Sequence, residues 1–388
     1  MWFGISVFLY TILSCLRRSP HPLLLAVILL GDAEFALGDD HTLMLKRDGT
    51  VWGTGSDVQG QLGLESTSNR ERFVMLVDGD VRAVAAGHYF SLVVKRDGSL
   101  WGTGFNNVGQ LGLSLATRVV RSFTKLVSDG VQAVAPGLGH TLLLKQDGSL
   151  WSAGSNSDGQ LGDSSQQRSG FAMVISEGVK AMAAGTSHSL VLKLDGSLWA
   201  AGQNLFGQLG DGTLTRKSEF VQVISGGVVA IAAGHLHSMV LKRDGSVWAA
   251  GSNQYGQLGS VDISQYNEFM IVMPDGARAV AAGGSFSLIV KQNGDLWGAG
   301  LNKFGQYEIG QSNEGPFVIT PFVITSSNVF SADAGSDHTF ILKVDGGVWA
   351  AGSNSHGQLG VGTTVNSPPF IKVISVAPPN SGVLRMLS

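Results

Sequence analysis

The residues able to act as ligands or catalysts recur at fixed intervals. Five of the nine histidines, His41, His140, His188, His237 and His338, each stand five residues before a lysine. Neutral imidazole is a common metal ligand. Phe90 and Phe286 fill the two other slots of the same series. An array would also spread these side chains too far apart for one tetrahedral ion. Hydrogen bonding or packing is therefore expected of them, and no metal. The spacing of Gly251 and Gly256 is that of a phosphate loop, but Gln-Leu follows where Lys and Ser or Thr belong. Turn glycines are the better reading. Lys46, Lys95, Lys145, Lys193, Lys242, Lys291 and Lys343, with Arg47, Arg96 and Arg243, could form a basic ring, but turn aspartates two residues on offset them. A solvated rim is expected. No Ser, Thr or Cys lies in a nucleophile motif and no paired carboxylates stand out. The chain is expected to be no enzyme, with no catalytic residues and no cofactor.

The elements that carry these residues repeat. Trp52, Trp101, Trp151, Trp199, Trp248, Trp297 and Trp349 are separated by 49, 50, 48, 49, 49 and 52 residues. Each unit has a leading Gly, an apolar run ending in Lys, an Asp-Gly pair (Asn293-Gly294 in one), the Trp, and a closing Gly-Gln, usually Gly-Gln-Leu-Gly. Asp-Gly between two short apolar runs is the strongest short-range hairpin signal, because both residues tolerate positive φ. A further strand is read before the leading Gly, as in Val81–Ala86. Another follows the Gly-Gln-Leu-Gly loop, as in Phe73–Val77. Four strands in seven units predict an all-β, seven-bladed β-propeller over 34–374. An open solenoid is the alternative. The recurrent Trp is expected to wedge between neighbouring blades. The final strand, residues 369–374, is expected to close the ring by completing a blade begun by the N-terminal strand.

Composition narrows the function. Of 388 residues 54 are Gly, 44% are hydrophobic and 14% charged, which excludes a disordered chain and a long coiled coil. The net charge of −3 leaves no general basic field for nucleic acid over the propeller surface. The single Cys15 excludes a disulfide framework.

The grammar is clearest in His237–Gly259, HSMVLKRDGSVWAAGSNQYGQLG, and recurs seven times over roughly 34–374. It resembles the regulator of chromosome condensation repeat family. The resemblance implies a seven-bladed propeller and no single activity. The family includes a nucleotide-exchange factor for a small nuclear GTPase, propeller modules of ubiquitin ligases, and secreted bacterial inhibitors of β-lactamases. The even unit spacing accommodates no wedge-like insertion of the kind the exchange factor uses.

Variation within a constant repeat marks where specificity sits. The two residues before each Gly-Gln vary most informatively: Phe206, Tyr255, Phe304 and His356 fall in consecutive units and predict an aromatic arc on one rim. Partial burial against the adjacent blade is the competing reading. The expected function is a non-enzymatic scaffold, monomeric, binding a protein partner through that rim. Regulation of a small GTPase and secreted inhibition of a hydrolase are the alternatives. In the sixth unit Tyr307-Glu308 replaces Leu-Gly, and Pro-Phe-Val-Ile-Thr occurs twice in succession, at 316–320 and 321–325.

Residues 1–33 lie outside the repeat. Apolar runs at 1–16 and 23–30 flank Arg17-Arg18, and small residues precede Glu34. They are expected to form a signal peptide, a membrane anchor through 1–30, or a disordered leader, so export or anchoring is favoured over a cytoplasmic location. Residues 375–388 are read as a tail.

Overall fold

The computed structural model describes residues 33–260, 265–307, 317–325 and 328–375. The leader and tail calls therefore fall outside the described residues, apart from Ala33 and Ser375. Seven sheets of four antiparallel strands follow one another in sequence and close into a seven-bladed β-propeller. The blades span 33–77, 81–127, 131–175, 179–224, 228–273, 277–325 and 329–375. Within a blade the order is inner, second, third and outer strand. In the first these are Ala33–Leu37, His41–Lys46, Val51–Gly55 and Arg70–Val77.

Local chemistry fixes each hairpin. The Asp-Gly turns put glycine at positive φ, as at Gly245 (φ 83°). The Asp carboxylate caps its own turn: Asp244 accepts from the Ser246 N–H (2.9 Å) and hydroxyl (2.6 Å). That hydroxyl in turn accepts from the Trp248 indole N–H at 2.9 Å. The Lys242 ammonium lies over the Trp248 ring, 3.6 Å from its centroid. The expected solvated lysine rim is thus a set of lysines covering half-buried tryptophans. Each Trp from Trp101 to Trp349 packs against the core of the preceding blade. Gly251 ends its strand at φ 113°, where a Cβ would meet the Leu236 carbonyl oxygen at 2.5 Å. No other residue fits there without displacing backbone.

The mode of ring closure corrects one expectation. The first and last strands complete no shared blade: residues 33–37 pair with 42–46 in their own sheet, and Ser367–Ser375 pairs with Gly347–Gly352. Each blade is a contiguous piece of chain starting at its inner strand, so among the described residues no strand is left over to exchange. Closure is by packing and by side-chain bonds repeated at the seam. In six of the seven blades a Ser or Thr hydroxyl on the second strand donates to the Gln carbonyl of the preceding blade, as Ser238 to Gln208 at 2.7 Å and Ser287 to Gln257 at 2.7 Å, while the equivalent Thr339 hydroxyl of blade seven is buried without a partner among the described residues. At the seam Thr42 does the same to Gln358 at 2.8 Å.

The histidines join this network. His41, His140, His188 and His237 place Nε2 2.9, 2.9, 3.0 and 3.0 Å from Ser91, Ser189, Ser238 and Ser287 of the next blade. His338 reaches Thr42 across the seam at 3.0 Å. Each hydroxyl already gives its proton to a carbonyl, so Nε2 must carry the imidazole hydrogen. In the sixth unit Phe286 packs on Tyr307, with ring centroids 5.9 Å apart, and the Tyr307 hydroxyl bonds the Gly300 carbonyl. The Tyr for Leu exchange therefore fills core space beside the substituted histidine position. The duplicated pentapeptide, from Phe317 on, forms the outer strand of blade six.

One unit carries a correctable defect. Six blades have Asn at the start of the loop before the outer strand. Its Oδ1 accepts from a Leu or Tyr N–H, and in Asn106, Asn204 and Asn354 Nδ2 donates to loop carbonyls at 2.7, 3.0 and 2.9 Å. Blade one has Asp57, which accepts from Leu62 N–H at 2.9 Å but leaves Oδ2 buried without a partner. Burial raises its carboxyl above the ordinary range. Asp57→Asn should stabilise the protein by about 1–2 kcal/mol, read from a urea titration at pH 8.

Candidate protein-binding face

Strand direction decides which loops share a face. The chain leaves each inner strand through the turn after the leading Gly, returns, reverses at Asp-Gly on the opposite face, and comes back to the first face after the Trp strand. Backbone bonds tie the two first-face loops together: Ser56 N–H donates to the Asp40 carbonyl (2.8 Å), Ser252 to Leu236 (2.9 Å) and Ser353 to Asp337 (2.9 Å). Phe206, Tyr255, Phe304 and His356 all lie on this face, at equivalent positions of blades four to seven.

The repeat holds these four rigidly. Each backbone N–H donates to the Gln side chain two residues on: Phe206 to Gln208 at 3.0 Å, Tyr255 to Gln257 at 3.0 Å, Phe304 to Gln306 at 3.1 Å and His356 to Gln358 at 3.0 Å. All four side chains are half-buried, and the residue before each is exposed. The structure separates them by chemistry. Phe206 follows Leu205, which is 65% exposed, and Lys303 caps Phe304 with its ammonium 5.3 Å from the ring centroid. His356 instead reaches Asp40 of blade one, Nδ1 to Oδ1 3.3 Å, in a polar cluster at the seam.

Spacing did not reveal two further sets of residues on this face. Leu138, Leu205, Leu214, Val58 and Val365 are exposed apolar side chains in its loops. The turns after the leading glycines surround a central cavity of about 100 Å³ lined by Asp39, His88, Leu138, His235 and Ser336, among others. Asp39 contacts His88. Burial raises Asp40, opposed chiefly by His356, and burial raises Asp337, opposed chiefly by His235. These turn positions also vary between units, so the cue that singled out the Gly-Gln loops would have found them.

The His–Ser contacts resemble a nucleophile and its base in distance alone. Both partners are fully buried, and burial pushes the imidazoles down to about 3–4. With the hydroxyl proton committed to a carbonyl and no path for substrate, the pair is structural.

No curated protein sequence matches the chain. Among solved structures, human WBSCR16 is 23% identical with a TM-score of 0.73, covering 84% of this chain and 93% of that one. Yeast RCC1 (Prp20), solved bound to Kap60, is 20% identical with a TM-score of 0.76, covering 89% and 86%. A separate structure of Prp20p from Saccharomyces cerevisiae, described with its binding to Gsp1p and histones, is 24% identical with a TM-score of 0.68 over 78% and 80%. The model of the Regulator of chromosome condensation (RCC1) repeat matches residues 33–61 and 81–110, and a second model of that repeat matches 48–94. The model of the RCC1-like domain matches residues 118–382, more than half of the sequence, and the chain belongs to that family.

Proposed function

We propose that this propeller is a non-enzymatic scaffold that takes a protein partner on the face carrying the Gly-Gln loops. The observation that supports it is the apolar surface there: Leu205 at 65% exposure and Leu214 at 45%, beside half-buried Phe206 and Tyr255. Aromatic side chains held by a rigid frame lose little entropy on binding, which suits them to be anchors. The frame supplies that rigidity through the Gln and Asn bonds beneath each loop. Prp20, a similar structure solved bound to Kap60 and described with its binding to Gsp1p and histones, supports a protein partner. The partner of this chain is a protein of unassigned identity.

Affinity capture with the chain tests the reading. Exchange of Phe206, Tyr255, Phe304 and His356 for Ala should abolish capture of the partner while leaving the cooperative melt in place. Leu205→Glu, at a more exposed position, should weaken capture at least tenfold without a stability loss above about 0.5 kcal/mol. Full retention by both variants would discard this face. A captured small GTPase would favour the regulator reading, and a captured hydrolase the inhibitor reading.

A further inference from the structure

The seam between the last and first blades differs chemically from the six other interfaces. Two positions before the turn glycine, six inner strands carry Ala36, Ala85, Ala135, Ala183, Ala232 and Ala281, and the seventh carries Asp333. Asp333 stands opposite Phe340 in the ladder, so the two share one face of the blade. Phe340 belongs to the cluster with Phe35 and Phe73 of blade one, its ring 5.1 Å from Phe35. The neighbours of Asp333 on its own strand, Ala332 and Ala334, pack the other way, against blade six. Asp333 therefore presents a carboxyl to the aromatic side of the only junction that no chain connection crosses.

We propose that ring closure is proton-dependent: the first and last blades pack firmly while Asp333 is protonated and separate more readily once it ionises. Asp333 is half-buried on the face that it shares with Phe340, and an ionised carboxylate there loses hydration that little else replaces. Asp333 accepts one bond, from the Ala334 N–H at 2.9 Å. The titratable and charged groups on the strands packed against it are Glu34, Arg278, Lys291, His338 and Lys343. Arg278 donates to the Val329 carbonyl at 2.6 Å. Lys291 and Lys343 lie over Trp297 and Trp349, and His338 is bonded to Thr42. Among the described residues no cation pairs with Asp333. Glu34, on the inner strand across the seam, adds a second acid rather than a counter-charge. Burial lifts Asp333 to about 7. Burial, then the charge of Asp333, lifts Glu34 to about 7 as well. Both values lie above those of the unfolded chain, so the stability tied to the protonated forms is full at low pH and lost as pH rises through about 7.

Hydrogen exchange of the full chain, corrected for intrinsic exchange, tests this between pH 6 and 8.5. Peptides covering 33–46 and 329–343 report the seam, and 179–193 in blade four is the internal reference. The seam opening constant should rise relative to the reference from pH 6 to about pH 7, by up to about tenfold per pH unit for one linked proton, and level off above that. Asp333→Asn should abolish most of that rise. Asp333→Ala, the residue of the other six blades, should do the same. Seam peptides that track the reference in the unaltered chain, or a rise that survives both substitutions, would overturn the proposal.

Discussion

Between pH 6.5 and pH 5 the protein should lose about 4–5 kcal/mol of stability, and about twice that by pH 4. Five histidines drive this. Each is fully buried and carries its proton on Nε2, leaving Nδ1 without a partner. A second proton would place an unpaired charge in the core, and burial accordingly holds all five near 3–4. The unfolded chain takes up these protons near pH 6.5, the folded chain does not, and stability falls as pH drops. Glu34 and Asp333 act in the opposite sense. Raised to about 7, they hold protons in the folded state that the unfolded state releases above about pH 4. Two such groups offset part of the loss from five, which gives the net figure above. Urea midpoints from pH 7.5 to 4 measure it directly. His237→Phe, using the residue that blades two and six carry at that position, should reduce the slope by about one proton. A midpoint unchanged from pH 7 to 5 would contradict the buried, neutral state of the ring.

Phe340→Ala should cost about 3–5 kcal/mol. The side chain is 2% exposed and joins three parts of the seam. It lies 5.1 Å from Phe35, 6.5 Å edge-on from Phe73 and 6.1 Å from His338. The equivalent positions elsewhere are Leu or Met, such as Leu142 and Met239, within blade-to-blade contacts that the chain also bridges covalently. At the seam the aromatic cluster, the Thr42 bonds, the Thr54 bond to the Gly357 carbonyl, the His356–Asp40 contact and a bridge between Arg72 and Val361 are among the contacts that join the ends of the ring. Denaturant titration should show a lower midpoint, with exchange rising first in blades one and seven. A loss below about 1.5 kcal/mol would mean that closure does not depend on this cluster.

Much of the fold was legible in the sequence because each signal is local. Asp244-Gly245 needs only its own turn, and the Trp spacing counts the blades directly. Closure was not legible. A repeat running around a circle can be cut at any phase, and the alternation of apolar residues is the same wherever the cut falls. Glu34–Leu37 reads equally well as the partner of Phe370–Ile374 or of Thr42–Leu45; the three-dimensional stacking of blades chooses the second. The bonding of His237 to Ser287 was equally hidden, since it links residues 50 apart. On the candidate face, Phe206 and Tyr255 stood out because they interrupt a constant pattern. His356 looked like a fourth member, but its chemistry follows from Asp40, which is remote in sequence and adjacent only once the ring has closed.

Crosslinking of the captured partner to the unaltered chain gives the most direct test of binding through the Gly-Gln loops. Photoreactive groups placed one at a time at Leu205, Gln254 and Lys303, and on the opposite face at Leu194 and Val344, report which side is covered. Efficient crosslinks from the first three and background levels from the last two are expected. Crosslinks confined to Leu194 and Val344 would place the partner on the Asp-Gly face and contradict the proposed function.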